Sequence, residues 1–567
     1  MQKRQLTKAQ SSKRLLKSLT DNPALPAFVR TLKAPVLKRL IDHVGLRDAG
    51  DLIALTTPEQ MRDILEESLW ESLTPGRADR LRPERFLEWL DVMFEADSAF
   101  ATQRLIELGD TFVVLNFSPL ISVTDRGVGA EHVEGGCVCV LCRLEAGSVP
   151  YEMIGEYIVE GIHEDEWDIV KTALVELEAE DSEFLYRVLA RCSSAPTMRD
   201  FDPGAHLLLD DETYEREQRR ERAGFVTPQM AAIFLKAARK AARDDLVAQS
   251  DYDTLTQRYF DQLAAATAAA AAAAAAEQQQ AREDADEQPD EAPITPVQLR
   301  ALESALADAE ITGDREPQLL TGPKDAREPT LELQVRLDRL QLTDPERFAA
   351  RLGELIFLAN VLMSGSWYQG ARFTEAEAAK AALACANLGL HHLLEVESSG
   401  RPTSASDRTA RASDRTVLIE QVLENPPGMV RLFQIGWHLI QALPMHAART
   451  LLDVLRSDHV RDQLKRKRWI LDEIESAVSE PDLLDLIEDG DFEDVSDNLV
   501  LLGLVLDGRA CQCLRTVISD FPRYPLQLNL GFRPGSPATN ESQYLTTPDQ
   551  LETIEAFLRE LDALLKI

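Results

Sequence analysis

Cysteine is scarce in this chain. Its 567 residues include 7 cysteines, an odd number at irregular spacing. Proteins held together by disulfides are usually short and secreted, and they carry an even number of cysteines in a recognisable spacing. The sequence therefore excludes a disulfide scaffold, and we expect reduced thiols.

Long apolar runs are also missing. The longest aliphatic run, from Leu499 to Leu506, is far shorter than the roughly 20 residues of a membrane-spanning helix. The first residues likewise lack the apolar stretch of a secretory signal peptide. We therefore expect no membrane span and a cytoplasmic location.

Basic residues are in deficit. Lysine and arginine number 61 against 96 aspartates and glutamates, which gives a formal net charge of -35. The negative electrostatic field of such a charge repels the phosphate backbone of nucleic acids, so we expect no nucleic-acid partner. Residues 1–20 are the exception, a basic tail that is typical of a solvated segment but could also contact an anionic partner. Its cations are Lys3, Arg4, Lys8, Lys13, Arg14 and Lys17.

Catalytic motifs are absent as well. The sequence contains neither the glycine-rich loop and lysine of a P-loop nor the three-glycine pattern of a dinucleotide site. It also lacks the two-histidine zinc motif of metalloproteases and the serine nucleophile elbow of hydrolases. We therefore predict no catalytic residues and no cofactor, and the sequence favours a protein that is not an enzyme.

The residues that are present predict a mainly α fold. Apolar residues make up 44% of the chain, which is enough for ordinary globular cores. Threonine, proline and glutamine occupy the N-cap, N1 and N3 positions of three predicted helices, at Thr57–Gln60, Thr295–Gln298 and Thr547–Gln550. Apolar side chains recur at helical spacing along both halves. We predict short stacked helices and a helical bundle.

A small α+β insert interrupts the helical pattern in the N-terminal half, at about residues 111–160. Stretches rich in β-branched residues and alternating in polarity predict three or four short strands there. These stretches begin at Thr111, Ile121, Cys137 and Tyr157.

The chain is too long for one hydrophobic core, since domains usually close at roughly 100–200 residues. An alanine tract, followed by glutamines and an acidic run, begins at Ala264 and offers little apolar surface to bury. We therefore predict a basic tail (1–20), an N-terminal helical domain (21–263), a linker (264–330) and a C-terminal helical domain (331–567).

Three cysteines, Cys137, Cys139 and Cys142, form the one cluster that suggests a metal site, because clustered thiolates bind zinc or iron–sulfur centres. Alternate side chains of a strand face opposite ways, so Cys142 would lie on the face opposite the other two. Only His132 is near enough in sequence to serve as a fourth ligand. We predict buried thiols and no metal.

Residues 360–372 join two apolar helices and carry small residues, an amide, two aromatic rings and an arginine. Asn360, Trp367, Gln369 and Arg372 could line a ligand pocket or contact a partner. The alternative is an interhelical turn in which Trp367 is packed into the core.

Three segments of the chain are similar to a known family. Leu40–Gln60, Gly224–Pro228 and Phe373–Leu390 resemble an uncharacterised bacterial family, the domain of unknown function 6178. The resemblance extends over nearly the whole chain outside the predicted linker. It implies a bacterial cytosolic protein and carries no known activity, so it assigns no functional residue.

Two classes of function stay open. Short stacked helices, an acidic composition and the lack of a catalytic motif favour a non-catalytic protein-interaction or regulatory protein with a protein partner. The alternative is a small-ligand binder or an enzyme with its site at the helix junction 360–372. Converging polar groups in a deep pocket there would favour the second class, and a broad exposed apolar surface would favour the first.

Overall fold

A computed structural model gives the fold. It describes residues 8–71, 75–77, 79–125, 150–162, 166–194, 216–222, 224–249, 251–283, 296–309, 311, 331–368, 370–399, 419–420, 422–424, 428–458, 484, 486–487, 506–530 and 541–564. The predicted strand that begins at Cys137 lies outside these residues.

The described part of the chain is mainly α, as the sequence predicts. Up to residue 194 the elements are α1 (Lys8–Thr20), α2 (Leu25–Thr31), α3 (Ala34–Val44), α4 (Gly50–Ile53), α5 (Pro58–Leu69), β1 (Trp70–Glu71), β2 (Arg80–Leu81), α6 (Pro83–Ala96), α7 (Ser98–Leu108), α8 (Asp110–Phe117), β3 (Ile121–Asp125), β4 (Tyr151–Ile154), β5 (Tyr157–Gly161), α9 (Trp167–Glu180) and α10 (Ser182–Ser194).

Longer helices dominate the remainder. Its elements are α11 (Pro228–Lys240), α12 (Arg243–Ala248), α13 (Thr254–Glu283), α14 (Pro296–Asp308), α15 (Glu332–Thr343), α16 (Pro345–Gly365), β6 (Trp367–Tyr368), β7 (Ala371–Arg372), α17 (Glu375–Ser399), α18 (Gly428–Arg456), α19 (Gly508–Val517), β8 (Tyr524–Pro525), α20 (Gln527–Leu530), β9 (Ser542–Gln543) and α21 (Pro548–Arg559). Residues 216–222 are also helical.

Contacts divide the chain into two compact units. Unit 1 consists of Met1–Leu73, Asp79–Arg219 and Ala270–Glu316. Unit 2 consists of Thr74–Ala78, Arg220–Ala269 and Pro317–Ile567. Neither unit is one continuous stretch of sequence.

Unit 1 stacks short helices around an aromatic centre. The ring of Phe86 on α6 meets those of Phe112 and Phe117 on α8 edge to face, with centroids 5.8 and 5.9 Å apart. This is a favoured geometry for aromatic pairs. All three side chains are buried in a core to which α1, α3, α5, α9 and α10 also contribute.

The predicted cap of α5 also links two helices. The Thr57 hydroxyl accepts a hydrogen bond from the Gln60 amide, and the Gln60 side chain accepts one from the Thr57 amide, which completes a capping box. The Gln60 Nε2 atom donates to the carbonyls of Val29, at 2.9 Å, and Leu32, at 2.6 Å, at the end of α2. One glutamine thereby satisfies backbone groups that two helix ends leave open.

The predicted insert contains a three-stranded antiparallel sheet in the order β3-β5-β4. Ile121 pairs with Gly161, and Ile154 pairs with Tyr157. Gly161 is required at the sheet end, because a Cβ atom there would lie 2.6 Å from the Trp167 ring. The strands predicted from Ile121 and Tyr157 are confirmed.

The strand predicted from Thr111 is wrong, because residues 110–117 form helix α8. Val113, Val114 and Phe117 are all completely buried. A short segment that is apolar all round has no periodicity to separate a buried strand from a buried helix. Packing against neighbouring helices decides its conformation.

Unit 2 is built on two helices, α17 and α18, that cross very closely. A Cβ atom on Gly389 would lie 1.9 Å from the Leu432 carbonyl oxygen, and one on Gly436 would lie 2.0 Å from the Cys385 carbonyl oxygen. Alanines fill much of the rest of the buried α17 face, including Ala378, Ala381, Ala382 and Ala386. Small residues let the two backbones approach.

One described helix, α16, is long and apolar enough to cross a membrane by length and composition alone. Half of the most apolar stretch of this helix is buried inside the protein. Leu355, Phe357, Leu358 and Leu362 of this helix belong to the core of unit 2. Core helices of soluble proteins also meet this criterion, so it is weak evidence for a membrane span.

The alanine tract is helical, since α13 runs from Thr254 to Glu283. Within the predicted linker, α14 contributes Leu302 and Leu306 to the core of unit 1. The domain boundaries at residues 263 and 330 stay a prediction.

Candidate functional site

The junction between α16 and α17 is a tight hairpin of β6 and β7. Trp367 pairs with Arg372, and Tyr368 pairs with Ala371. Gly370 adopts a φ of 75°, a left-handed conformation that glycine reaches without strain. Gln369 lies outside the described residues.

Two side chains at the end of α16 hold a neighbouring loop. Asn360 Nδ2 donates to the Gly224 carbonyl oxygen at 3.1 Å, and the Ser364 hydroxyl donates to the Val226 carbonyl oxygen at 2.8 Å. Tyr259 also donates to Gly224, at 2.8 Å. The Asn360 amide, which the sequence suggested as a ligand group, therefore contributes to the packing of unit 2.

A carboxylate organises the start of the hairpin. Asp520 Oδ2 accepts hydrogen bonds from the Ser366 hydroxyl, at 2.7 Å, and from the Trp367 backbone amide. Burial raises the pKa of Asp520 to about 6, although both hydrogen bonds act to lower it. The Gln441 side chain donates to the Asp520 carbonyl oxygen at 2.8 Å and ties this residue to α18.

An arginine lies between two tyrosines beside the hairpin. The Arg523 guanidinium carbon is 5.1 Å from the ring centroids of both Tyr368 and Tyr544. Each distance is within the range of a cation–π contact. Phe373 stacks on Tyr368 at 4.9 Å and meets Phe521 edge to face at 5.4 Å. This aromatic cluster packs the hairpin onto the segment that follows α19.

The predicted junction residues do not converge on one point. Asn360 points to the loop at Gly224, the Trp367 side chain is half-buried, and Arg372 is exposed. None of these three residues lines either of the two clefts described next.

The larger cleft lies elsewhere in unit 2. It has a volume of about 680 Å³, and its walls come from α11, α12, the start of α13 and Gln434 of α18. A smaller cleft of about 350 Å³ lies between α15 and the side chains of Glu420, Leu423 and Glu424. Three arginines also line it: Arg336, Arg339 and Arg347.

The predicted metal candidates Cys137, Cys139 and Cys142 lie outside the described residues. In the part of the chain that the structure describes, no group of three or more histidine, cysteine or acidic side chains is arranged to hold a metal ion. Cys513 is buried, and burial raises the pKa of its thiol to about 12.

Residues 1–193 match the model of DUF6178, a family of unknown function. The resemblance expected from the sequence is therefore confirmed for this part of the chain, a smaller share than the sequence suggested. No curated protein and no solved structure matches the chain.

The DUF6178 match extends from the N-terminus into α10 and covers the three-stranded sheet. The junction hairpin and both clefts lie beyond the match. The match to DUF6178 therefore assigns no role to these features.

Proposed function

We propose that this protein is a non-catalytic protein-interaction or regulatory protein of the bacterial cytosol. The observation that carries the proposal is an apolar face of α15 that the rest of unit 2 leaves uncovered. Its side chains Val335 and Leu342 are 50% and 86% exposed.

The two faces of α15 are distinct. Leu333 and Leu337 are buried at 0% and 2% exposure and belong to the core of unit 2. Residues seven apart lie on the same side of a helix, so Val335 and Leu342 share a face directed away from that core. Complete burial of a leucine or valine side chain is favourable by roughly 1.5–3 kcal/mol. A partner that covers Val335 and Leu342 would therefore gain binding free energy from both side chains.

Charge indicates the kind of partner. The exposed Arg339 lies between Val335 and Leu342 on the same side of α15. Arg339 is one of three arginines that line the smaller cleft. The partner surface that fits this face is therefore an apolar groove or helix stripe flanked by a carboxylate.

The test is co-purification of the full-length protein from its native source with quantitative mass spectrometry. We compare the wild type, the double variant Val335→Asp/Leu342→Asp, and the control variant Ile233→Asp. Ile233 is 55% exposed on α11 and so matches the tested positions in exposure. All three proteins should melt alike, because exposed substitutions usually change stability by less than about 0.5 kcal/mol.

We expect one stoichiometric protein to accompany the wild type and the control, and to fall by about tenfold or more with the double variant. Recovery of the same proteins with all three, or of none with the wild type, would contradict the proposal.

The alternative is a small-ligand binder or enzyme with its site at the junction 360–372. The half-buried Trp367, paired with the exposed Arg372 across the hairpin, is the observation in its favour. If Trp367 serves packing only, Trp367→Ala should destabilise the full chain by about 1–3 kcal/mol, less than loss of a fully buried ring. An unchanged melting temperature would favour the alternative.

A further inference from the structure

The outward face of α15 carries one acid and one base that pair with nothing else. Asp338 is half-buried and Arg339 is exposed. Among the described residues, neither of these two side chains makes a hydrogen bond or an ion pair. Glu332 and Arg336 on the same helix, by contrast, form an ion pair with each other. The charges of Asp338 and Arg339 are therefore available to a partner.

Helix geometry places these two charges on opposite sides of the apolar pair Val335 and Leu342. Successive residues of an α-helix are about 100° apart around its axis. Leu342 therefore lies within about 20° of Val335, while Asp338 lies about 60° to one side of Val335 and Arg339 about 40° to the other side. The face is an apolar stripe with a carboxylate along one side and a guanidinium along the other.

Such a face is complementary to a copy of itself. When two identical helices lie parallel about a two-fold axis that runs along them, opposite sides meet, so Asp338 of each helix lies beside Arg339 of the other. The two Val335 side chains then meet at the axis, as do the two Leu342 side chains. The charges of each copy are thereby paired with charges of the other.

The antiparallel arrangement lacks this match. When the second helix is reversed, like sides of the two helices meet. The two Asp338 carboxylates would then face each other, and so would the two Arg339 guanidiniums. Like charges repel at this distance, so the charge pattern favours the parallel pair.

We propose that α15 pairs in parallel with α15 of a second copy of this chain and so forms a two-fold homodimer. This inference rests on the proposed function, because it names the partner of the same surface. The partner that fits the face is an apolar helix stripe flanked by a carboxylate, and α15 itself presents both features. The helix has 12 residues, so the interface is small and we expect a dissociation constant on the order of 10–100 µM.

Sedimentation equilibrium of the purified full chain measures the dimer. Asp338→Arg and Arg339→Asp each replace two attractive contacts by two repulsive ones, so each should weaken the dimer by about tenfold or more. Two exposed charges outside α15 give matched controls, because Asp91→Arg and Lys236→Asp change the net charge by the same amounts. The two controls should dimerise as the wild type does.

An equal mixture of the two single variants is the most specific sample. Asp338→Arg presents guanidiniums on both sides of α15, and Arg339→Asp presents carboxylates on both sides. Each variant repels its own copy and attracts the other, so the mixture should form a mixed dimer at about the affinity of the wild type. The double variant Asp338→Arg/Arg339→Asp should likewise dimerise with itself.

Cysteine cross-linking tests the direction of the helices and does not depend on the charge variants. Two copies of Leu342→Cys meet only in the parallel pair, so mild oxidation should join them by a disulfide. Ile233→Cys is the control, since Ile233 is 55% exposed on α11 and lies outside the proposed interface. The control and the oxidised wild type should stay monomeric on a denaturing gel.

Three results would overturn the homodimer: a monomeric wild type at several hundred micromolar, a mixture that sediments as monomers, or equal effects of the α15 variants and their controls. The proposed function has a separate outcome. If the wild type is a monomer but a different protein accompanies it and is lost with Val335→Asp/Leu342→Asp, the homodimer fails and the proposed function stands. A monomer that also recovers no partner contradicts both.

Discussion

At the scale of single residues, Asp520 shows how a side chain far along the chain organises the junction. Its carboxylate receives the Ser366 hydroxyl and the Trp367 amide, more than 150 positions earlier in the sequence. Arg523 then packs between Tyr368 and Tyr544. The hairpin is therefore held by the segment after α19 rather than by its own sequence.

Asp520 should make the stability of the protein depend on pH. Burial raises its pKa in the folded protein to about 6 from an ordinary value of 3.8. The protonated form is thus favoured by folding, so this stabilisation is complete below about pH 4 and is lost as the pH rises through 6. The loss amounts to at most about 3 kcal/mol, from roughly two pKa units at about 1.4 kcal/mol each.

Asp520→Asn keeps an oxygen that accepts both hydrogen bonds and removes the titration. Urea unfolding of both proteins from pH 4 to pH 8 measures the effect. We expect the variant to gain stability over the wild type between about pH 4 and 6, with a constant difference above that. Parallel stability curves over the whole range would contradict the predicted shift.

The sequence located the junction but not its chemistry. Asn360, Trp367 and Arg372 were found because small, amide and aromatic residues interrupt two apolar helices. Asp520 and Arg523 were missed, since a contact between residues this far apart leaves no local pattern.

At the scale of helices and strands, the crossing of α17 and α18 depends on the absence of two side chains. The backbones come so close at Gly389 and Gly436 that a Cβ atom would overlap a carbonyl oxygen of the facing helix. The Cys385 thiol also donates to the Phe433 carbonyl oxygen at 3.4 Å across this crossing. A helix pair of this kind tolerates little added volume.

Gly436→Ala should therefore destabilise unit 2 by about 1–3 kcal/mol or more, because the helices must separate to admit the methyl group. Gly353→Ala is the matched control, a glycine inside α16 with no atom within 4 Å of the added Cβ. That change should stabilise the protein by about 0.5–1 kcal/mol, since alanine favours helix over glycine. Thermal or urea unfolding of the two variants decides the point, and equal effects would show that the crossing is not tightly packed.

Local signals predicted helices better than strands. The capping box of Thr57 and Gln60 was read correctly because its hydrogen bonds join residues three positions apart. Residues 111–115 were misread as a strand, because their apolar side chains have no period and α6 and α10 determine their packing. Period and capping are local properties, whereas burial on all sides is not.

At the scale of the whole molecule, unit 2 assembles from segments that are distant in the sequence. Phe234 of α11 meets Phe357 of α16 edge to face at 5.4 Å. The Trp437 indole donates to the Leu235 carbonyl oxygen at 3.1 Å. No composition boundary marks residues 220–269 as part of the same core as residues 331–567, so the sequence alone could not join them.

A buried carboxylate, that of Glu354, also joins distant segments of unit 2. Glu354 of α16 is completely buried, accepts a hydrogen bond from the Met429 amide at 2.7 Å and forms an ion pair with Arg351 at 3.0 Å. The Tyr252 hydroxyl, from the segment before α13, donates to the same carboxylate. Loss of one donor would leave part of a buried charge unmatched, which is costly.

These contacts predict the behaviour of fragments. The fragment 331–567 lacks the Phe234 ring, the Leu235 carbonyl oxygen that accepts a hydrogen bond from the Trp437 indole, and the Tyr252 hydroxyl. It should expose the Phe357 surface, melt without a cooperative transition and lose near-ultraviolet circular dichroism, even though its helices persist in part.

Addition of residues 220–269, supplied as a separate chain by co-expression, should restore a cooperative melt, because it returns the missing aromatic faces and the hydroxyl together. A scrambled peptide of the same composition is the control and should not. Calorimetry of the isolated fragment gives the opposing outcome. A sharp, two-state transition for residues 331–567 alone would mean that the C-terminal domain predicted from the sequence folds by itself. The contacts with α11 would then not be needed for its cooperative folding.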